Sequence, residues 1–273
     1  MNKYLQLFRL QNCAIGIIGI LASAFIAVEA EVSELTDSWF NVILACVIII
    51  TFMAGGNALN DYVDRDIDKI GHPERPIPSG RMQPKSALYA GCMMLGLAVA
   101  LSLLFQDILS ILIVIVACLL MLAYELGLKQ RGFVGNVTIA VLTGGIFLLG
   151  GAIVDNIEGT YMLVGMAVLV NIGREITKDI EDMDGDKDRK TLPMSIGVKN
   201  AGVIAAIFFI SGVALSIWPL YTGMFGTYYI SILVPDAMFI YASYILFSDP
   251  RRSQKVAKIA MLVAFVAFIF GVI

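Results

Sequence analysis

Two groups of acidic residues interrupt a chain that is otherwise strongly apolar, and the first group follows the second hydrophobic stretch. Its polar members Asn60, Asp64 and Asp68 are spaced at steps of four. Side chains at that spacing lie on one face of a helix, because successive members are offset by only about 40°. The sequence therefore predicts one amide and two carboxylates on a common helix face, with Asp61 and Asp66 directed elsewhere.

The second group lies in the stretch REITKDIEDMDGDKDRKTLP, after the sixth hydrophobic stretch. Asp179, Asp182 and Asp186 follow an i, i+3, i+7 pattern, which again aligns three carboxylates on one helix face. Asp184 and Asp188 lie off that face. Taken singly, either group also fits a hydrated loop whose acids cap a helix and pair with nearby lysine and arginine.

The two groups lie four predicted helices apart, as the two halves of an internally repeated membrane bundle would place them. If they face each other, four or five carboxylates share one partly dry site, and that negative charge requires cations. All-oxygen ligands select hard ions such as magnesium, which favours sites shared with substrate phosphates. We therefore expect metal ions that bridge a diphosphate. Basic residues of the same loops can supply further positive charge to it, namely Arg65, Arg75, Arg81, Lys129, Lys178 and Lys190.

A diphosphate attached to a long apolar tail would suit an ionic site above a lipid-embedded bundle. If the carbon that carries the diphosphate is allylic, departure of the diphosphate leaves a delocalised carbocation. Aromatic ring faces stabilise such a cation through their quadrupole. Tyr62 and Tyr124 are the candidate rings, although Tyr124 equally fits an anchor at the membrane interface.

The composition of the whole chain places these groups in a membrane protein, since the mean hydropathy is +0.84 and only 15% of the residues are charged. Stretches that could cross a hydrocarbon layer of roughly 30 Å lie near residues 13–28, 40–59, 87–105, 108–123, 133–154, 159–173, 200–220, 225–247 and 256–273. No linker or change of composition divides the chain. The sequence predicts an all-α membrane protein, a bundle of nine transmembrane helices that forms a single domain over residues 1–273.

The basic residues predict how this bundle is oriented, because lysine and arginine in short loops mark the cytoplasmic side. All 19 of them precede the first predicted helix or follow an even-numbered one. The N-terminus and both acidic motifs are therefore expected in the cytoplasm, and the C-terminus outside. A cleaved signal peptide ending near Ala22-Ser23-Ala24 is rejected, since its loss would scramble this pattern.

Other kinds of protein fit the sequence less well. A transporter carries acids along its intramembrane pathway, whereas only Asp236, beside Pro235, interrupts the middle of a predicted span here. An alcohol phosphotransferase would carry one longer motif that ends in G-x-x-x-D-x-x-x-D. This chain has Asn60 in place of that glycine and lacks the first half of the motif. His72 is predicted to be a solvated loop histidine. Four cysteines without metal-ligand spacing are predicted to be small buried side chains: Cys13, Cys46, Cys92 and Cys118.

Together these residues resemble the UbiA superfamily of intramembrane prenyltransferases, whose signatures are N-x-x-x-D-x-x-x-D and D-x-x-x-D. The first signature matches Asn60, Asp64 and Asp68, and the second matches Asp182 and Asp186. The likeness spans the whole chain, and its further matches are Arg9, Asn12, the stretch RPIPSGR, and a Tyr-to-Lys element at Tyr124 and Lys129. The spacing of that last element is longer by one than in several relatives.

The resemblance implies transfer of a prenyl group from a prenyl diphosphate to a lipophilic acceptor among membrane lipids, with no nucleic acid and no obligate protein partner. It implies two magnesium ions that bridge the diphosphate, held by Asn60, Asp64, Asp68, Asp182 and Asp186. The catalytic residues carried over are Asp64, Asp68, Asp182, Asp186, Asp179 and Tyr124. The substrate-binding residues are Asn60, Arg9, Asn12, Arg75, Arg81, Lys129, Lys178 and Lys190.

The acceptor is indicated by the form of the second motif. REITKDIEDMDGD followed by TLP resembles an archaeal branch of the family that joins a second geranylgeranyl chain to geranylgeranylglyceryl phosphate through an ether bond. A cationic patch for the acceptor phosphate is hypothesised at Lys129, Arg131, Lys187, Arg189 and Lys190. Prenylation of hydroxybenzoate, dihydroxynaphthoate or haem, which relatives with the same metal motifs perform, stays the alternative. The hydroxyl proton of the acceptor would pass to Asp179 or to the released diphosphate, and the sequence does not decide between them.

Overall fold

The computed structural model describes residues 2–183 and 191–273, and every regular element within them is a helix. We label the long helices in chain order. They are α1 (Leu10–Ala27), α2 (Trp39–Val63), α3 (Pro84–Ser102), α4 (Ile108–Leu126), α5 (Phe133–Ala152), α6 (Tyr161–Glu181), α7 (Val198–Thr222), α8 (Leu233–Ile245) and α9 (Pro250–Val272). Shorter helical segments connect them at Lys3–Phe8, Val32–Asp37, Asp68–Gly71, Leu128–Gln130, Glu158–Thr160, Leu192–Ile196 and Thr227–Ile232.

Eight helical spans in the described residues are long and apolar enough to cross a membrane, which makes this a multi-pass membrane protein. They are α1 to α5, α7, α9, and α8 together with the short helix that precedes it, and each coincides with a stretch predicted from the sequence. The remaining predicted stretch, near 159–173, corresponds to α6. That helix has 21 residues, about 31 Å at 1.5 Å per residue, but its last two turns are charged because it continues into the second acidic motif.

Local sequence signals explain where several of these helices begin. The side chain of Asp107 accepts a hydrogen bond from the Ser110 backbone N–H at 2.6 Å and so caps α4. Pro84 and Pro250 stand in the first turns of α3 and α9, where a missing N–H costs nothing. Pro235 occupies the first turn of α8, after the 3₁₀ segment Thr227–Ile232. The proline therefore marks the change from one helix type to the other.

Asp236, the acid next to that proline, faces the interior of the bundle. It is buried, and Ser216 Oγ of α7 donates a hydrogen bond to Asp236 Oδ2 at 2.7 Å. The hydroxyl of Tyr229 donates to the Ser216 backbone oxygen at 3.2 Å. Buried polar groups in a membrane bundle are stable when they are hydrogen-bonded to neighbouring helices. Asp236 thus joins α7 to α8, as expected for a polar group that faces the bundle.

Glycine allows two helices of the first half to approach closely. A Cβ atom added at Gly91 of α3 would lie 2.7 Å from Leu59 Cγ and 3.2 Å from the Gly55 oxygen of α2. A Cβ atom added at Gly55 would meet Leu95 of α3 at 2.9 Å. Lipid tails are as apolar as the helices, so membrane helices associate through close van der Waals packing at small residues. The Gly55 and Gly91 pair therefore fixes α3 against α2, the helix that carries the first acidic motif.

Replacing Gly91 by leucine should force α2 and α3 apart and destabilise the protein by about 1–3 kcal/mol, the usual cost of overpacking. Gly96→Leu is the matched control on the same helix, because a Cβ atom at Gly96 meets nothing within 4 Å. Thermal unfolding in detergent, followed by circular dichroism, compares the two. A Tm for Gly91→Leu as high as that of Gly96→Leu would show that this close approach does not stabilise the bundle.

Candidate functional site

A cavity of about 730 Å³ opens at one end of the bundle, and both acidic motifs contribute to its wall. Its polar lining consists of Arg9, Asn57, Asn60, Asp64, Asp68, His72, Arg75, Tyr124, Glu125, Lys129, Glu175, Lys178, Glu181 and Asp182. Its apolar lining includes Gly56, Ile67, Met121 and Ile139. The charged lining comprises six carboxylates and four cationic side chains other than histidine, so the cavity has an excess of negative charge.

The first motif reaches the cavity although α2 ends at Val63. The backbone N–H of Asp64 donates to the Asn60 oxygen at 2.9 Å, and that of Asp68 donates to the Asp64 oxygen at 2.8 Å. These bonds keep the helical i to i−4 pattern across the turn. Asn60, Asp64 and Asp68 consequently share the cavity wall, as their spacing predicted.

Two arginines bind to this motif from outside α2. Arg75, in the loop after the motif, donates to Asp68 Oδ2 at 2.5 Å and lies 3.7 Å from Asp61 Oδ1. Arg9 stands between the segment Lys3–Phe8 and α1 in the left-handed region, at a φ of 49°. It donates to Asp61 and, at 3.4 Å, to Asn60 Oδ1. Backbone geometry therefore aims the guanidinium of Arg9 at the motif.

Asp61 was expected to point away from the site, and it is absent from the cavity wall. It is nevertheless coupled to the site, because its carboxylate is only 1% exposed and pairs with both Arg9 and Arg75. A buried carboxylate is stable when such cations compensate its charge. Asp66, by contrast, is exposed and accepts a hydrogen bond from Lys69 at 2.7 Å, which lowers the pKa of Asp66. Asp61 therefore positions two cavity arginines, whereas Asp66 plays no part in the site.

Lys129 enters the cavity because the chain changes direction after α4. Gly127 ends α4, and the 3₁₀ turn Leu128–Gln130 follows. Gly135 of α5 packs against this turn, because a Cβ atom added at Gly135 would lie 2.8 Å from the Leu128 oxygen. Lys129 Nζ lies 2.6 Å from Asp64 Oδ2 and 3.6 Å from Glu125 Oε2. The Tyr-to-Lys element thus joins α4 to the first motif by an ion pair.

Glu125 is a cavity residue that the sequence interpretation missed. It lies on α4 beside Tyr124, is 6% exposed, and accepts a hydrogen bond from Asn60 Nδ2 at 3.4 Å. A signal was present, because Glu125 precedes Lys129 by four residues, a spacing that brings two helical side chains together. Asn57, Glu175 and Glu181 also line the cavity without having been singled out.

The second motif contributes a stripe of α6 that is rotated from the predicted one. Glu175, Lys178 and Asp182 line the cavity, while Asp179 lies outside its wall and accepts a hydrogen bond from Asn136 Nδ2 of α5 at 2.8 Å. Asp182 follows the last residue of α6, and its N–H donates to the Lys178 oxygen at 2.9 Å. The remaining predicted residues of this motif lie outside the described part of the chain: Asp184, Asp186, Lys187, Asp188, Arg189 and Lys190.

Several other predicted residues lie apart from the cavity. Arg81 donates to Gln6 Oε1 at 2.7 Å and to the Glu74 oxygen at 2.5 Å, so it braces the loop after the first motif. Asn12 is an exposed residue of the first turn of α1. The guanidinium of Arg65 stacks over the Tyr62 ring at 4.9 Å. Of the two candidate rings, only Tyr124 is part of the cavity wall.

The donor atoms of the cavity suit a hard divalent ion, because carboxylates and an amide are the ligands that magnesium prefers. Among the residues that the structure describes, no three acidic, histidine or cysteine side chains converge as a metal centre. The carboxylates instead pair with protein cations, Asp64 with Lys129 and Asp68 with Arg75. Asp186 lies outside the described residues. The described part of the wall has the right chemistry for a metal but is held together by ion pairs.

A second, narrow apolar space lies between α2, α4 and α5, about one helical turn further into the bundle than the cavity. It has about 30 Å³ of room and is lined by Ile48, Ile49, Phe52, Ile113, Val114, Ala117, Leu142, Gly145, Ile146 and Leu149. Met121 of the cavity wall follows Ala117 of this space by about one turn of α4. It packs on Gly56, since a Cβ atom added there would lie 2.9 Å from the Met121 methyl group. The cavity, here called the ionic mouth, thus lies about one helical turn above this small apolar space, here called the apolar channel.

Comparison with known proteins identifies relatives of this chain. The model of the UbiA prenyltransferase family matches residues 17–269. A digeranylgeranylglyceryl phosphate synthase of Thermococcus kodakarensis is 38% identical over 99% of this chain and 98% of its own length, and one of Methanosphaera stadtmanae is 35% identical over 99% of both.

Solved structures share the architecture. One from work on digeranylgeranylglyceryl phosphate synthase in membranes has a TM-score of 0.85 at 32% identity, covering 99% of this chain and 97% of the other. A UbiA homologue from Archaeoglobus fulgidus bound to DMAPP and Mg²⁺ has a TM-score of 0.64 at 16% identity, covering 98% and 99%, and shares the fold. The chain therefore belongs to the UbiA prenyltransferase family.

Proposed function

We propose that this protein transfers a geranylgeranyl group from geranylgeranyl diphosphate to geranylgeranylglyceryl phosphate, with magnesium, and forms an ether bond. The observation that supports the proposal is that acidic and cationic side chains line one cavity above an apolar channel. Such a site suits a substrate with a diphosphate head and a long apolar tail. The acceptor is proposed because relatives of 35% and 38% identity over nearly the whole chain are digeranylgeranylglyceryl phosphate synthases.

We assign two magnesium ions to Asn60, Asp64, Asp68, Asp182 and Asp186. Four of these residues line the cavity, and Asp186 lies outside the described residues. Their oxygen donors suit magnesium, which is often bound by one or two carboxylates together with substrate phosphates. When bound, the metal neutralises charge on the diphosphate and makes it a better leaving group.

The side chains of this protein would act on the substrate in three ways. Arg9, Arg75 and Lys129 line the cavity and supply charge-assisted hydrogen bonds to the diphosphate oxygens. The ring of Tyr124 lies in the same wall and can face the allylic cation that forms as the carbon–oxygen bond breaks. Apolar residues below the mouth exclude water, which would otherwise capture that cation.

The acceptor's hydroxyl oxygen then forms the ether bond to the allylic carbon, and its proton must leave. Two proton acceptors were open, Asp179 and the released diphosphate. Asp179 lies outside the cavity wall and is hydrogen-bonded to Asn136. The diphosphate, in contrast, is produced inside the cavity beside the new bond. The geometry favours the diphosphate as the proton acceptor.

The membrane arrangement that goes with this function has α6 as a ninth transmembrane helix, the cavity at the cytoplasmic face and the C-terminus outside. Arg9, Arg75, Lys129 and Lys178 all line the cavity, and lysine and arginine mark the cytoplasmic side of membrane proteins. The last turns of α6 are charged because they form part of the cavity wall rather than a lipid-facing surface. Both substrates would then enter from the surrounding lipid, without a protein partner.

Acceptor choice can be tested by a transfer assay. Purified protein in detergent, given radiolabelled geranylgeranyl diphosphate and magnesium, should transfer label to geranylgeranylglyceryl phosphate but not to dihydroxynaphthoate or hydroxybenzoate. Chelation of magnesium should stop the reaction. Asp64→Ala and Asp182→Ala should abolish transfer, whereas Asp66→Ala, an exposed neighbour paired with Lys69, should leave it near normal. Label in an aromatic acceptor would move the protein to quinone synthesis, and full activity of Asp64→Ala would refute the assigned metal site.

The path of the donor tail can be tested at Gly145. Gly145 lines the apolar channel about 9 Å below Ile139, six residues along α5. A Cβ atom at Gly145 meets nothing within 4 Å, so leucine fits there but fills the channel. Gly145→Leu should reduce kcat/KM for geranylgeranyl diphosphate about tenfold or more, as a steric cost of 1–3 kcal/mol implies.

Shorter geranyl diphosphate should be affected much less, since its tail ends higher in the channel. Gly96→Leu is the control, because it adds the same side chain in open space on α3, away from the channel. If Gly145→Leu slowed both donors equally, the tail would not follow this channel.

A further inference from the structure

Glu125 belongs to neither acidic motif, yet its carboxylate faces the charged cavity from α4. It is 6% exposed, and its Oε2 atom is buried without a hydrogen bond, its charge facing Lys129 Nζ at 3.6 Å. Its Oε1 atom accepts one long hydrogen bond, 3.4 Å from Asn60 Nδ2. An unsatisfied oxygen on a buried charged group is costly. The structure thus places a carboxylate with room for a further ligand bond at the wall of the cavity to which the magnesium ions are assigned.

The neighbouring cation shows where such a ligand would act. Lys129 Nζ lies 2.6 Å from Asp64 and 3.6 Å from Glu125, and its side chain is only 6% exposed. One buried ammonium therefore lies between two carboxylates, with the Asn60 amide beside them. This arrangement of oxygen atoms around a positive charge resembles the environment of a metal ion. Magnesium is commonly bound by one or two carboxylates plus substrate phosphates.

We propose that Glu125 is a further metal ligand, which forms one divalent cation site together with Asp64 and Asn60. Lys129 holds the two carboxylates together in the absence of metal and moves to the diphosphate when metal binds. The inference rests on the proposed function, since it concerns one of the two ions assigned there. It adds a ligand from α4, a helix that carries neither acidic motif.

Removal of the Lys129 ammonium should change the affinity for metal in opposite directions with and without pyrophosphate. If its ammonium occupies a metal site, Lys129 competes with free metal, and Lys129→Met should bind metal alone several-fold more tightly than the native protein. The same variant should bind metal less tightly when pyrophosphate is present, because the diphosphate loses a cationic partner. A lysine that only binds substrate would leave the affinity for metal alone unchanged.

The test is a Mn²⁺ titration of the full-length protein in detergent, followed by electron paramagnetic resonance, with and without inorganic pyrophosphate. Glu125→Gln should weaken Mn²⁺ binding at least about tenfold, the usual effect of removing a residue that supports a metal site. Asp64→Ala is the positive reference and should lose binding. Asp66→Asn is the matched control, since its side chain is exposed and pairs with Lys69.

A double-mutant comparison separates a ligand from a residue that merely anchors Lys129. In the Lys129→Met background, Glu125→Gln should still weaken Mn²⁺ binding at least about tenfold if Glu125 is a ligand. An unchanged affinity in that background would overturn the inference, and so would weaker binding of Mn²⁺ alone by Lys129→Met. If the native protein bound no Mn²⁺ even with pyrophosphate, the metal site of the proposed function would fail, and this inference with it.

Discussion

The constraint on which this structure depends is the cost of gathering carboxylates at the edge of a membrane bundle, away from bulk water. Each buried carboxylate must be paired or hydrogen-bonded, since an isolated buried charge is strongly unfavourable. The protein meets this demand with its own cations: Lys129 on Asp64, Arg75 on Asp68, and Arg9 on Asp61. The same cations suit a diphosphate. In the proposed reaction, stability of the free protein and binding of a metal-loaded substrate would therefore use one set of side chains, whose partners would change between the two states.

Each of these cations reaches the site through a break in a helix rather than from the middle of one. Arg9 stands at a left-handed residue before α1, Lys129 follows the glycine that ends α4, and Arg75 lies in the loop after the first motif. A regular transmembrane helix exposes its middle to lipid or to neighbouring helices, whereas its ends can present polar groups to water. Close packing between regular helices, such as the contact of Gly55 with α3, holds α2 in place. The irregular segments between helices bring cationic side chains to the acidic motif on α2.

Much of this was predictable from the sequence, and the errors have a common cause. Apolar runs located the helices, and i+4 spacing placed Asn60, Asp64 and Asp68 on one wall, because both patterns follow from the geometry of a single helix. Spacing gives relative directions within a helix but not which side faces a neighbour. In the second motif, Lys178 and Asp182 line the cavity, whereas Asp179 accepts a hydrogen bond from Asn136 of α5. The role of Asp61 was not predicted because its partners Arg9 and Arg75 lie on other segments. Glu125 was missed although Lys129 follows it by four residues, because it belongs to neither acidic motif.

The position of the ionic mouth above the apolar channel fits a reaction in which both substrates are lipids. In the proposed reaction, the head of a prenyl diphosphate would occupy the ionic mouth and its tail would pass Phe52, Val114 and Gly145. The reacting carbon would then lie where polar lining gives way to apolar lining. Tyr124 and Met121, one turn apart on α4, both line the cavity near this boundary. An acceptor whose hydroxyl must meet that carbon also needs a polar head beside the mouth and a tail that remains in lipid. A prenylated glycerol phosphate has such a head and tail, whereas a small aromatic acid has no apolar tail to hold it in the lipid beside the site.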